Sequence, residues 1–363
     1  MTDLLYSDIE DELRAAVRSL LDDRAPWPQV LAGTENGAAR DAGLWRTLAA
    51  DLGCAGLAVP EEFGGAGASF REAAVVLEEL GRAVAPVPYL GSAVLATAAL
   101  LDCGETELLA DLAAGRRTAT MAVPFATAPG APFPATVGAE GGALTGTVRS
   151  VADGLAADVL LVPAGGDLYA VETAPGDAVR RTAVTSLDMT RPLCDLVLSR
   201  APARRVATGA AAGRALEAAL TTGAALLASE QLGVAERCLE STVDYLKTRY
   251  QFARPVGSFQ GLKHRLADLW VGITQARAVA RYAAGCVAEG EPDTGVAVAV
   301  AQAHCSAVAL KAAEECVQLH GGIGFTWEHP AHLYLKRAKS TSIALGTPDR
   351  HRAALAALAD LPL

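Results

Sequence analysis

No stretch of this 363-residue chain approaches eighteen uninterrupted apolar residues, the length a helix needs to cross a bilayer, so no membrane span is expected. Positive charge is also in deficit. With 31 Lys and Arg against 41 Asp and Glu, the formal net charge is −10, and the field of the whole chain repels a nucleic-acid backbone or an anionic membrane. Any anionic ligand must then be met by local arginines. The N-terminal MTDLLYSDIEDELRAAV is acidic and amphipathic and lacks the basic segment and apolar core of a signal peptide. The seven cysteines, at 54, 103, 194, 238, 286, 305 and 316, are odd in number and include no C-x-x-C pair; reduced thiols and a cytoplasmic location are the expectation. Nor do ligand residues gather at zinc-like spacing. His329 and His332 stand three apart with Glu328 as the one nearby acid, so no metal site is expected.

What is present is apolar, periodic and punctuated. Hydrophobic residues make up 51% of the chain, enough for a large core. Apolar residues at three- and four-residue spacing predict helices over Asp8–Leu21, Ala38–Leu52, Phe70–Leu80 and Leu90–Leu101. Ser69, with Glu72 three residues on, is an N-cap for the third, and the preceding VPEEFGGAGASF is a glycine-rich connection. From Thr118 to Ala207 short apolar runs separated by Gly, Pro and Asp predict an antiparallel sheet domain, with Ala126–Gly142 as a loop. Helical periodicity then returns over Gly213–Lys247, Ser258–Ala288 (capped by Ser258), Thr294–Leu319, His329–Lys339 and Asp349–Ala359. The expected class is α+β, mainly α, with helical (1–117), sheet (118–207) and helical (208–363) domains. Val296, Val298, Val300 and Val308 to Leu310 are assigned to core and intersubunit packing, and Trp270 and Trp327 to core or interface anchors.

Two segments carry chemistry. RYQFARPVGSFQGLKHRLAD at Arg249–Asp268 sets an arginine, glutamines and an aromatic on an Arg-Pro-Val-Gly turn between two long helical stretches. CVQLHGGIGFTWEHPAHLYLKRAKS at Cys316–Ser340 sets a glutamine and a Gly-Gly-x-Gly loop between two more. A guanidinium binds phosphate oxygens through planar, bidentate donors, and glycines at 321, 322 and 324 let a backbone approach a ligand with no Cβ in the way. Together with VPEEFGG, these segments closely resemble the acyl-CoA dehydrogenase family over nearly the whole chain. The resemblance implies an N-terminal helical domain, a middle β-domain and a C-terminal four-helix bundle around FAD and an acyl-CoA thioester, in dimers or dimers of dimers. It implies that Arg249 and Gln260 contact the FAD of the neighbouring subunit, with Gln251 and Phe252 beside them and Gln318, Gly321 and Gly322 closing over its pyrophosphate. It also assigns Thr347 and Asp349 to cofactor contacts in the loop after the usual base. The family's reaction is α,β-dehydrogenation, in which a carboxylate takes the α-proton, the flavin takes the β-hydride, and electrons pass to an acceptor such as an electron-transfer flavoprotein.

That base has no counterpart here. The family's Tyr-Glu-Gly-Thr is Ala344-Leu345-Gly346-Thr347, and the alternative base position on the first bundle helix is Gly223. Glu217 is turned away from that face, and Glu230 lies about 10 Å further along the helix. The arginine that follows the alternative base in the family is Ala224, and the family's Glu-Pro-x-x-Gly-Ser-Asp loop is replaced by material around Ala126–Ala135. The pattern is that of one subunit in a heteromeric acyl-CoA dehydrogenase, a heterotetramer whose second, dehydrogenase-like chain supplies the base, with bulky CoA thioesters such as steroid side chains as substrates. Two alternatives remain open at this point: a self-sufficient flavoprotein, a homo-oligomer with an unidentified base, and a flavin-free structural or regulatory subunit.

Overall fold

The computed structural model describes residues 4–35, 37, 41–173 and 176–359. The N-terminal part is helical: α1 (Asp8–Arg24), α2 (Trp27–Glu35), α3 (Ala42–Arg46), α4 (Phe70–Ala83), α5 (Thr97–Cys103) and α6 (Thr106–Ala113). Reciprocal capping boxes start α1 at Ser7–Glu10 and α4 at Ser69–Glu72, the second as expected. The helix expected over Ala38–Leu52 is α3 followed by a π-helical turn at Thr47–Asp51, and residues 38–40 of that expectation lie outside the described ones. The segment expected as one helix over Leu90–Leu101 is a π-helical turn, Leu90–Ala96, running into α5. Apolar periodicity alone does not separate four from five residues per bonded ring. The short helices α2 and α6 were not among the predicted elements.

Eight strands follow: β1 (Ala119–Met121), β2 (Val137–Glu140), β3 (Ala143–Ala152), β4 (Val159–Ala164), β5 (Asp167–Glu172), β6 (Val179–Val184), β7 (Leu193–Pro202) and β8 (Arg204–Ala207). They form two sheets, β1-β4-β5-β8 and β2-β3-β7-β6, closed on an apolar layer that includes Val137, Leu144, Val148, Leu160, Val162, Val171 and Leu196. Two expectations are corrected here. β1 and β4 pair in parallel, because the chain between them passes through the other sheet and returns in the same direction. The expected loop Ala126–Gly142 contains β2, an edge strand paired with β3.

The C-terminal part is a bundle built on α7 (Gly209–Thr248), a short hairpin β9 (Tyr250–Gln251) and β10 (Arg254–Pro255), then α8 (Gln260–Glu289), α9 (Thr294–His320), α10 (Ala331–Thr341) and α11 (Pro348–Leu358). α8 begins two residues after the expected cap. Ser258 closes a 3-10 turn, Val256–Ser258, its buried hydroxyl has no partner among the described residues, and Phe259 occupies the cap position. α9 packs against α7, α8, α10 and α11. By length and composition the segment Thr294–Phe325 could span a bilayer although it holds no uninterrupted apolar run of that length, and more than half of its apolar window is buried within the fold. Val298 is buried in that bundle, whereas Trp270 and Trp327 are 58% and 57% exposed and so are not core anchors.

The three parts are locked at two places. α4 and α7 cross with their backbones touching: a Cβ on Gly233 would lie 1.8 Å from the Glu78 carbonyl oxygen, and one on Gly81 2.1 Å from that of Glu230. No residue larger than glycine fits at either position. Beside the crossing, Glu230 accepts from Arg191 (2.5 Å) on the β side and from Arg337 (3.1 Å) on α10, and Arg337 also pairs with Asp188 (3.2 Å) and donates to Thr190 Oγ1 (2.7 Å). Burial raises the Glu230 pKa, but the two guanidiniums outweigh it and hold the carboxyl below its ordinary range.

Candidate cofactor-binding and active site

At the far end of α7, Arg249 leaves the helix with extended backbone angles (φ −80°, ψ 125°) and leads into the β9–β10 hairpin. Gln251 pairs with Arg254, so Phe252 and Ala253 form a two-residue turn, and both have positive φ (53° and 60°). That is the signature of a type I′ turn, a conformation that glycine or asparagine takes readily and a phenylalanine does not. Strain of this kind is concentrated at functional positions. The Phe252 ring is 87% exposed and meets Phe259 edge-on at 6.2 Å, while the Arg254 guanidinium lies 3.8 Å over the Phe259 ring. Gln251, Gln260 and Arg249 are exposed, and among the described residues no carboxylate forms an ion pair with Arg249.

The glycine loop lies at the same end. His320, the last residue of α9, stacks on Tyr245 near the end of α7 (4.5 Å) and contacts His329 (4.1 Å), which joins the hairpin base to the turn that follows α9. In that turn Gly321 adopts φ 62°, ψ −138°, and a Cβ on Gly321 or Gly322 would point into open space. Gln318 beside them is exposed. Gly324 is different. A Cβ there would sit 2.5 Å from the Val317 carbonyl oxygen, so the fold itself requires this glycine, and the expectation that it serves ligand approach is corrected. Beneath the loop the Cys316 thiol touches His320 Nδ1 at 3.7 Å, and its pKa is lowered to about 4 by its contacts with Cys238 and then His320. An exposed guanidinium and an uncovered glycine backbone at one bundle end form a donor set that fits the phosphates of a dinucleotide.

The second group of predicted residues is elsewhere. The residues from Gly223 to Arg249 span roughly 39 Å of helix at 1.5 Å per residue. Gly223 lies against Leu345: a Cβ at Gly223 would be 3.1 Å from Leu345 Cδ1 and 2.3 Å from Cδ2 of Leu95, which the π-helical turn Leu90–Ala96 presents. The two positions at which the resemblance looks for a base thus adjoin each other, and both leucines are buried. Leu345 is held in a left-handed conformation (φ 52°) by its N–H, which donates to Phe125 O (2.8 Å), and its carbonyl, which His351 Nε2 meets at 2.9 Å. Burial lowers the His351 pKa, so the ring is a neutral donor.

The remaining residues nearby have other partners. Glu217 accepts from the Gly130 N–H at 2.9 Å, tying down the altered 126–135 loop, and from Thr221. Asp349 is exposed and pairs with Arg352 (2.7 Å), and Thr347 caps α11 by accepting from the Arg350 N–H. The Ala224 carbonyl accepts from Gln302 (2.6 Å). Among the described residues no group of three or more His, Cys, Asp or Glu is placed to hold a metal ion. Leu95 was not identifiable from the sequence, because nothing in its local pattern signals a π-helical turn. His332 is also new: both ring nitrogens are buried beside Trp327 without a partner among the described residues, and burial lowers its pKa to about 4.

This fold and these segments define an acyl-CoA dehydrogenase, and the chain belongs to that family. Residues 7–115 match the acyl-CoA dehydrogenase N-terminal domain and residues 212–359 the acyl-CoA dehydrogenase C-terminal domain. Family membership makes FAD the cofactor. The chain is similar to acyl-CoA dehydrogenase IpdE2 of Mycolicibacterium smegmatis, 37% identical over 342 residues that cover 94% of this chain and 96% of the relative. Among solved structures it resembles a chain of the ChsE4–ChsE5 complex from Mycobacterium tuberculosis (TM-score 0.86, 30% identity, 99% and 100% of the two chains covered). It also resembles a chain of the Tcur3481–Tcur3483 steroid ACAD (TM-score 0.84, 33% identity, 97% and 98% covered).

Proposed function

We propose that this chain is one subunit of a heteromeric, FAD-dependent acyl-CoA dehydrogenase, and that it lends cofactor contacts to a partner chain that carries the catalytic base. The observation that carries the reading is the packing of Leu345 against Gly223: both base positions are occupied by residues without proton chemistry, and a third residue, Leu95, packs against Gly223 as well. Glu230 is committed to two arginines, Glu217 to the Gly130 loop and Asp349 to Arg352. FAD, when bound, supplies the hydride acceptor for α,β-dehydrogenation of the thioester.

The residues of this chain then divide by position. Arg249, Gln251, Phe252, Gln260, Gln318, Gly321 and Gly322 present donors and an open backbone outward at the end of the bundle, where they bind and orient the diphosphate of a neighbour's FAD. Thr347 and Asp349 are proposed as cofactor contacts on the loop after Leu345. The helical (1–117), β (118–207) and bundle (208–363) parts are proposed as its domains. Two structural relatives named as a complex and as a steroid ACAD support a heterotetramer acting on a bulky, steroid-derived acyl-CoA. An electron-transfer-flavoprotein-like acceptor and a cytoplasmic location complete the proposal.

Co-expression with an acyl-CoA dehydrogenase-like chain encoded beside it, followed by a count of FAD per chain, tests the reading. The expected result is a mixed oligomer with fewer FAD than chains. A homo-oligomer with one FAD per chain and its own acyl-CoA activity would refute it, and a colourless assembly would favour a structural subunit.

A further inference from the structure

We infer that Leu95 plugs this chain's own acyl-thioester slot, and that shortening Leu95 and Leu345 re-opens an apolar cavity able to take a short acyl chain. The inference rests on the preceding reading, which identifies Gly223 and Leu345 as the two base positions.

The plug is held from three sides. A π-helical turn carries one residue more per bonded ring than an α-turn and so shifts which side chains face a neighbouring helix. Here it faces Leu95 onto Gly223 of α7. The turn cannot back away. Its Gly91 N–H donates to half-buried Asp153 at 3.2 Å, a Cβ on Gly91 would lie 2.7 Å from the same carboxylate, and Ser92 Oγ accepts from the Ala119 N–H at 3.2 Å. On the opposite side the Phe125 carbonyl and His351 fix Leu345. The meeting point of the three elements is therefore filled by two leucine side chains, while the surrounding backbone is independently bonded. Gly223 has no side chain because Leu95 occupies the volume a Cβ would need.

A slot closed by side chains on a fixed backbone differs from one the fold never forms. Truncating both leucines to alanine removes on the order of 150 Å³ of side chain, the scale at which an engineered apolar cavity stays dry and accepts a benzene-sized group. The class of ligand follows: the acyl part of a short-chain CoA thioester, with no polar partner required at its tip.

The test compares butyryl-CoA with free CoA by titration calorimetry on the full-length protein in its native assembly. The native protein, if a partner chain contributes a site, binds butyryl-CoA at that site only. Leu95→Ala/Leu345→Ala is expected to add one butyryl-CoA site per copy of this chain, with at least ten-fold preference over CoA. No added site in the folded variant, or the full number of sites already present in the native protein, overturns the inference. If the double variant does not fold, the coupling of Gly223→Ala to Leu95→Ala replaces it. Gly223→Ala lowers the melting temperature in the native background and not beside Leu95→Ala; an equal loss in both overturns the plug. FAD content is read separately. An added site in a protein that carries one FAD per chain would refute the heteromeric reading and leave the plug standing.

Discussion

Replacing Arg249 with alanine removes a guanidinium that forms no ion pair with a carboxylate among the described residues. Its backbone N–H completes α7 by donating to Tyr245 O, and its carbonyl accepts from Val256 at 2.7 Å, but both bonds survive the substitution. The stability of the FAD-free chain should thus stay within about 0.5 kcal/mol of native, as for a surface change that breaks no contact. FAD retention should behave otherwise. A hydrogen bond to a charged group contributes about 1.5–3 kcal/mol, and each 1.4 kcal/mol is about ten-fold in affinity, so the assembled variant should bind FAD roughly 10- to 150-fold more weakly. Raising the ionic strength should narrow the difference, since the contact is exposed. Lysine should restore only part of the loss, because it lacks the planar fork. The assays are equilibrium dialysis followed by flavin fluorescence on the assembly, and urea unfolding of the FAD-free chain. Unchanged FAD affinity would refute the assignment of Arg249 to a phosphate. A parallel fall in chain stability would show that the residue acts through the fold instead.

Gly233→Ala forces a Cβ to within 1.8 Å of the Glu78 carbonyl oxygen; destabilisation of more than about 4 kcal/mol is expected, and a urea midpoint near native would contradict the backbone contact between α4 and α7. Glu230→Ala leaves Arg191 and Arg337 buried without their shared anion and should cost about 3–5 kcal/mol, measured by the same unfolding curves. The low pKa of His332, about 4 against the ordinary 6.5 of a histidine, has a defined sign: the unfolded chain takes up the proton first, so stability is full above pH 6.5 and falls as pH drops toward 4. His332→Gln should flatten the melting temperature in that window, and an unchanged slope would exclude His332 as its source.

Much of this was legible in the residues because it depends on short-range pattern. Ser69 and Glu72 are three apart and bond to each other whatever the rest of the chain does, and α9 follows its apolar period from Thr294. Errors arose where a distant partner decides. Ser258 has the chemistry of a cap, but the turn before it packs on the end of α7, where a Cβ on Gly257 would lie 3.0 Å from the Leu246 carbonyl oxygen. Gly324 and Gly322 look alike in a Gly-Gly-x-Gly string; only the proximity of Val317 separates the glycine the fold needs from the one left open to a ligand. The absence of glutamate at Leu345 and Gly223 could be read directly. Their contact, and the leucine that fills it, required the π-helical turn, which no local composition announces.

The left-handed turn at Phe252 and Ala253 also bears on assembly kinetics. A loop already fixed in an uncommon conformation loses little further freedom when a partner docks against it, and the entropic penalty of ordering falls on folding rather than on association. Docking through this hairpin should therefore proceed at rates set by diffusion and orientation instead of by a slow rearrangement. A more flexible turn would slow complex formation even with every donor to the cofactor intact.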